Sequence, residues 1–170
     1  MANIVHFGKY SFPYRGGIEA VTEQAAESAV RGGHKVTIIG FSSDGKNSVT
    51  VHDDVVNVNC RTIAVLASQP LSLNYLMHAV LHGRKADIVH LHLPNMLAAL
   101  AVLFIGKRPK LVVHWHSDVI NKDWLLYFLR WLQAIVLDRA VKIICTSQAY
   151  ADSSVSIRSY KHKILVLPIG

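Results

Sequence analysis

Short β-branched runs bounded by glycine, proline or charge recur along the chain, at Asn3 to Phe7, Lys35 to Gly40, Asp87 to His92, Lys110 to Trp115, Lys142 to Thr146 and Lys163 to Leu167. Runs of this length and composition read as buried strands. Helical patterns lie between most of them. Ile18, Val21, Ala25, Ala29 and Val30 recur at helical spacing, with Glu19, Glu23, Glu27 and Arg31 falling between them as the polar side. That helix is expected to start at Gly17 and stop at Gly32-Gly33. Leu73 to His82, Pro94 to Ile105, Lys122 to Arg139 and Gln148 to Ile157 are further helix candidates. The alternation predicts an α/β fold: a parallel sheet with helices on both faces. Val49 to Val58 alternates less cleanly and predicts an extra strand or a hairpin. With 170 residues, 51% of them hydrophobic and 17% charged, the chain can bury one substantial core, so residues 1–170 are expected to form a single domain.

In an open parallel sheet, ligands bind at the carboxyl ends of the strands, so the residues that follow each strand carry the functional reading. After the first strand, the stretch Gly8 to Gly16 leads to Gly17-Ile18-Glu19 at a helix start. Paired glycines let a ligand approach the backbone, and the free amides and positive dipole end suit a phosphate or diphosphate. The alternative is a plain tight turn, as Gly32-Gly33 would make at the other end of the same helix. Neither GxGxxG nor GxxxxGK[ST] is present, which removes the main support for a dinucleotide or P-loop site.

The chain has 10 histidines, and four form His90-x-His92 and His114-x-His116. Alternation puts each pair on one face of its strand. No carboxylate or cysteine cluster completes a recognisable metal set, so no metal is expected and His90 and His114 read equally well as core histidines. His116 closes its strand and opens the loop His116-Ser117-Asp118, where it can orient or deprotonate a substrate hydroxyl; a purely structural loop histidine is the competing reading. Thr146 or Ser147 can cap the helix after the fifth strand.

The net charge of +7 and pI near 9.6 favour anionic partners: phosphorylated ligands, a membrane surface or nucleic acid. Nucleic acid is set aside because neither a basic recognition helix nor an aromatic-basic strand motif is present. Cys60 and Cys145 lie in apolar runs without CxxC spacing and read as core residues of a reducing compartment. The first residues lack a basic leader and a long apolar core, so a cytoplasmic location is expected. Trp124 to Leu129 and Trp131 to Leu137 make one helix apolar over most of its circumference, although Arg130 and Gln133 interrupt it too much for a membrane span. Core packing, a dimer contact and an interfacial segment reaching a lipid-linked acceptor on the inner face of the cell membrane all fit it.

Four ordered segments resemble the N-terminal domain of family 4 glycosyltransferases: Phe12 to Glu19, Asp87 to His92, Val113 to Asp118, and Ile143 to Ser147 with Lys163 to Gly170. The resemblance implies a Rossmann-like domain, the N-terminal half of a GT-B fold, with retaining and metal-independent transfer from a nucleotide-sugar donor to a hydroxyl acceptor. Cell-surface polysaccharide or glycolipid synthesis is the implied setting. Carried over, Gly16 and Gly17 become donor diphosphate contacts and His116 the catalytic candidate; Arg15, Asn95, Ser117, Asp118 and Ser147 are the expected acceptor-side or cleft residues beside them. No cofactor is implied, since the nucleotide-sugar is a co-substrate. In the family, Pro168-Ile169-Gly170 would lead into a C-terminal domain holding the nucleotide, so this stretch alone is expected to fold but scarcely to catalyse. A stand-alone phosphate- or nucleotide-binding α/β module without chemistry is the rival.

Overall fold

Strand β1 spans Asn3–Tyr10 and lies at the centre of the sheet, with Val5 and Phe7 facing one side and Ile4 and His6 the other. A computed structural model describes residues 1–10, 16–66, 69–118 and 125–168, leaving aside the side chains of 125–128. Chain order continues with helix α1 (Gly17–Arg31), strand β2 (Lys35–Phe41), and strands β3 (Ser48–His52) and β4 (Val55–Cys60). A small hairpin follows, β5 (Ala64–Leu66) and β6 (Gln69–Leu71), then helix α2 (Leu73–Lys85), strand β7 (Ile88–Leu93) and helix α3 (Met96–Val102). Strand β8 (Lys110–Trp115), helix α4 (Leu125–Arg139), strand β9 (Lys142–Cys145), helix α5 (Gln148–Ser153), a 3-10 segment at Arg158–Lys163 and strand β10 (Ile164–Val166) complete it.

The main sheet has the order β10-β9-β8-β7-β1-β2-β4-β3, and every neighbouring pair is parallel except β3 with β4. After β1 the chain builds outward through β2 and β4 on one side, then crosses to β7 and builds the other way. The switch point therefore lies between β1 and β7, where such sheets form their ligand crevice.

Alternation along the strands divides the core. Val5, Phe7, Ile39, Phe41, Val89, Leu91, Val113 and Trp115 pack with residues of α2, α3 and α4 in the larger cluster. Ala26 of α1 packs instead with Val36, Ile38 and Val55. Helices thus cover both faces, as the alternation predicts, and α4 supplies Leu132, Val136 and Leu137 to the larger core. That settles the core-packing reading for this face of α4. Residues 122–124, the expected start of the helix, lie outside the described residues.

Val49 to Val58 forms the hairpin β3–β4, and both turn residues, Asp53 and Asp54, take positive φ (48° and 62°). A two-residue turn of that kind matches the right-handed twist of its flanking strands. Two helices are shorter than their apolar patterns suggest. α3 ends at Val102 because the amides of Leu103 and Phe104 turn back to Leu100 and Ala101, and Gly106 adopts φ 74°. α5 ends at Ser153, and Ser154 takes an extended conformation. β5–β6 has no counterpart among the expected elements. Gly32-Gly33 closes α1 as expected: the amide of Gly33 bonds the carbonyl of Val30, and its φ is 77°.

Candidate functional site at the sheet switch point

β1 runs on past Phe7 to Tyr10, and its register against β2 shifts between those two residues. The irregularity has a polar anchor beneath it. The carbonyl of Gly8 accepts hydrogen bonds from Tyr75 Oη (2.9 Å) and Asn95 Nδ2 (2.7 Å). Asn95 Nδ2 also donates to Tyr75 Oη (3.0 Å), and Asn95 Oδ1 caps α3 by accepting from the amide of Ala98. Tyr75 is fully buried, stacked on Phe41 with ring centroids 4.1 Å apart. Asn95, expected as a cleft residue, is therefore buried, with both amide hydrogens committed to the fold. It shapes the end of β1 from below.

From Tyr10 the chain reaches α1. Gly16 is the extended N-cap (φ −124°, ψ 178°), and among the described residues no side chain caps the helix, so none of them meets its leading amides. A Cβ on Gly17 would meet no atom of another described residue within 4 Å, so packing against those residues does not require glycine there. Glu19 departs from its expected place on the polar side of α1: it is buried, and its Oε1 accepts from the Tyr10 amide at 3.2 Å, tying the end of β1 to the first turn of α1. Arg15 lies outside the described residues.

The histidines converge on the α1 face of the sheet. His6 stands opposite His90 in the β1–β7 register, and His92 opposite His114 in the β7–β8 register. His6 Nδ1 and His92 Nε2 are 3.2 Å apart, and His92 Nδ1 and His116 Nε2 are also 3.2 Å apart. In each of these pairs the ring centroids are 5.5 Å apart, so the N···N line spans most of the separation and the rings lie head to tail. The row crosses one strand and climbs two residues at each step, ending at the carboxyl end of β8. His90 stacks on His92 (4.5 Å) and His114 on His116 (4.3 Å, planes within 7°). Sequence alternation groups each His-x-His pair, but His6 and the meeting of three strands depend on register, which no local spacing reveals.

Burial lowers the basicity of all five imidazoles, and repulsion from neighbouring rings adds to it for His6, His90, His92 and His116. His6 and His114 fall to about 4 and His116 to about 3, while His90 and His92 lie well below the usual range. At neutral pH the cluster is uncharged. Two groups, His6-His90-His92 and His92-His114-His116, bring ligand atoms within 4.8 Å of one another, which is close enough for a metal ion. In the second group, His114 and His116 are not aimed to share one. An ion must lie near the plane of each imidazole that binds it, and the near-parallel, face-to-face rings of His114 and His116 have no common in-plane point.

Around His116, which is half-buried, Ser117 is exposed and Asp118 Oδ1 accepts from Ser154 Oγ at 2.9 Å, joining this loop to the end of α5. Ser147 is the N-cap of α5, its Oγ accepting from the Tyr150 amide at 3.1 Å. The structure thus sets Gly16, Gly17, His116, Ser117, Asp118 and Ser147 at or just beyond the carboxyl ends of parallel strands, with Asn95 as support beneath.

A mostly parallel α/β sheet with helices on both faces and a switch point between β1 and β7 defines a Rossmann-like domain. Residues 15–170 match the family described as Glycosyltransferase Family 4, and the chain belongs to that family. It is 28% identical over 170 residues to the O-antigen chain mannosyltransferase C of Escherichia coli, covering 98% of this chain and 45% of that protein. It is 30% identical over 168 residues to the D-rhamnosyltransferase WbpZ of Pseudomonas aeruginosa, covering 98% of this chain and 44% of that one. The chain therefore spans less than half the length of these relatives, as an N-terminal domain of this family would.

The buried imidazoles have a consequence for acid stability. Their folded-state basicity lies below the unfolded value near 6.5, so the unfolded chain binds more protons as the pH falls through 6.5. Stability should be full above about pH 6.5 and decline toward pH 4, with His6 alone accounting for on the order of 3 kcal/mol. Thermal melts from pH 7.5 to 4 test this: Tm should drop across that window, and His6→Phe should flatten the drop. A Tm independent of pH down to 4 would contradict the neutral-cluster assignment.

Proposed function

We propose that this chain is the acceptor-side domain of a retaining, metal-independent glycosyltransferase that moves a hexose or 6-deoxyhexose from a nucleotide-sugar to a hydroxyl acceptor during cell-surface polysaccharide synthesis. The observation that supports the reading is that the Gly16-Gly17 start of α1 and the half-buried His116 both follow parallel strands, β1 and β8, at their carboxyl ends. The sugar class rests on the mannosyl- and rhamnosyltransferase relatives.

Leading amides and the positive end of the α1 dipole suit a donor diphosphate, and the missing Cβ at Gly17 lets it approach the backbone. As this charge builds on the leaving group, preorganised amides stabilise it more than they stabilise the intact donor. The remaining diphosphate ligands belong to a C-terminal domain. His116 is neutral, so it orients the acceptor hydroxyl and the transferred sugar by hydrogen bonding, and it is not the nucleophile. Front-face transfer keeps the anomeric configuration, and the departing diphosphate helps to receive the acceptor proton. Arg15, Ser117, Asp118 and Ser147 complete the acceptor side.

A lipid-linked acceptor would place the protein peripherally on the cytoplasmic face of a membrane. Two features support this: the net charge of +7 and the exposed apolar row Leu73, Met77 and Leu81 along α2, beside Arg84 and Lys85. No helix among the described residues is long and apolar enough to cross a membrane.

Three measurements test these assignments. Gly17→Val in the full-length protein should raise the donor Kd roughly tenfold, about 1.4 kcal/mol, with Tm little changed because its Cβ meets no atom of another described residue. An unaltered donor titration would reduce Gly16-Gly17 to a turn. His116→Ala should lower kcat roughly 100-fold while folding is preserved; unchanged turnover would remove it from the mechanism. The protein should float with vesicles containing anionic lipid at low salt, and the double substitution Met77→Glu and Leu81→Glu should abolish flotation. Absence of binding by the parent protein would refute the membrane contact.

A further inference from the structure

Strand β3 is the outer strand of the main sheet on the β2 side, and among the described residues β4 is its one neighbour. Such an edge carries a row of backbone N–H and C=O groups that can pair with another strand, and proteins usually blunt it with proline, lysine, a bulge or very short length. β3, Ser48-Val49-Thr50-Val51-His52, contains neither proline nor lysine, its register against β4 is unbroken, and all five residues are exposed.

Its outward hydrogen-bonding groups follow from the turn. The pair that closes a two-residue turn, His52 with Val55, exchanges hydrogen bonds, and the pairs then alternate along the ladder. The amides and carbonyls of Val49 and Val51 therefore point away from β4. The side chains of the same two residues share the face of Val58 and Val56, their partners on β4, and Val58 belongs to the larger core. Val49 is 65% and Val51 68% exposed, so the apolar row of that face runs on past the last covered strand. The segment entering β3 is held in place. The Lys46 amide donates to Ser42 Oγ (3.1 Å) and Asp44 Oδ1 (3.0 Å), and Asn47 Oδ1 accepts from the Arg61 amide (2.8 Å) and Asn74 Nδ2 (3.0 Å). An edge preorganised in this way loses little freedom on pairing.

We propose that the β3 edge is a homodimer interface, in which β3 pairs antiparallel with β3 of a second copy about a two-fold axis at Thr50 and joins the two main sheets into one. The charges at the two ends of the strand select this occupant and this register. Lys46 precedes β3 and the Asp53-Asp54 turn follows it, and all of them are exposed. With the axis at Thr50, Lys46 of each copy comes to the Asp53-Asp54 turn of the other, so opposite charges meet at both ends. Moving the axis to Val49 sets that turn against Asp44-Gly45, like charge on like, and moving it to Val51 carries Lys46 past the turn. The outward backbone groups match in the same register. Val49 lies opposite Val51 of the other copy, so the two such pairs exchange backbone hydrogen bonds and bring the valine side chains together on one face.

This axis stands perpendicular to the sheet. The carboxyl ends of the parallel strands in the two copies then point in opposite directions, and His116, on the far side of β1 from the shared edge, stays clear of the interface. Pairing uses up the edge that it needs, so assembly stops at two copies. The interface is small beside that of a permanent dimer, and the net charge of +7 opposes approach, so the expected Kd is roughly 10 µM.

Sedimentation velocity of the full-length protein from about 1 to about 100 µM should show a reversible monomer–dimer equilibrium. Val51→Pro removes an outward amide hydrogen while sparing the ladder to β4, and Lys46→Glu sets like charges at both ends of the pair. Each should raise the dimer Kd at least roughly tenfold with circular dichroism unchanged. Cysteine cross-linking reads the register. Under mild oxidation Thr50→Cys should join to its own counterpart, since directly opposite residues have Cβ atoms about 5 Å apart, and peptide mass spectrometry should place the disulfide at the two substituted positions. Ser48→Cys should stay uncoupled because its counterpart lies about 13 Å along the strand. The native Cys60 and Cys145 are buried and do not compete. A protein that stays monomeric at about 100 µM, assembly that grows beyond two copies, or a dimer that Lys46→Glu leaves unweakened would overturn the proposal. Cross-linking of Ser48→Cys in place of Thr50→Cys would overturn it as well. If Val51→Pro fails to fold, Lys46→Glu and the two cysteine variants decide the matter, since each replaces an exposed side chain.

Discussion

The carbonyl of Gly8, held by Tyr75 and Asn95, is the interaction on which the site depends. A backbone acceptor buried at the end of a central strand needs partners, because an unmet one costs a substantial part of a domain's net stability. Here both partners come from the helical layer on one side: Tyr75 from α2, and Asn95 from the turn into α3. Meeting that acceptor fixes the irregular end of β1 and ties it to the segment that leaves β7. In sheets of this kind the ligand crevice lies between two such strand ends. The buried Glu19 completes the frame from the α1 side by holding the amide of Tyr10. Three polar side chains, none of which needs to touch a ligand, thus determine where the ligand-facing backbone goes.

Much of the fold was legible because its signals are local. Buried parallel strands are short apolar runs, and the helices between them carry their own periodicity, so element order and sheet type follow from the sequence. The apolar patterns of α3 and α5 continue past the point where backbone turns take over, so they overstate the length of both helices. Glu19 departs from its pattern for a related reason. Helical spacing puts it among the polar residues of α1, but it lies in the first turn beside the end of β1, where a buried amide needs an acceptor. The place of Asn95 after a strand suggests a cleft residue, but its hydrogen bonds go to the frame below.

The histidines mark the limit of reading by spacing. His90-x-His92 and His114-x-His116 are visible as pairs, and alternation correctly puts each on one face. The union of these pairs with His6 depends on how three parallel strands are staggered, a relation among residues as far as 86 positions apart. Their neutrality is equally non-local, since it arises from burial and from the other rings. Family membership follows from the match over residues 15–170, and the structure adds the physical setting in which His116 sits.

The antiparallel turn at Asp53-Asp54 sets a boundary. Every other strand of the main sheet runs the same way, so their carboxyl ends share one rim. β3 reverses, and its carboxyl end lies at the opposite rim, where it adds no loop to the crevice. The strand is also exposed along its whole length, and by pairing with β4 it covers an edge that a further crossover unit would otherwise have extended. The hairpin therefore ends the row of carboxyl ends on that side: the rim stops at β4, and it continues the other way past β7 to β8 and β9, where His116 and α5 are found.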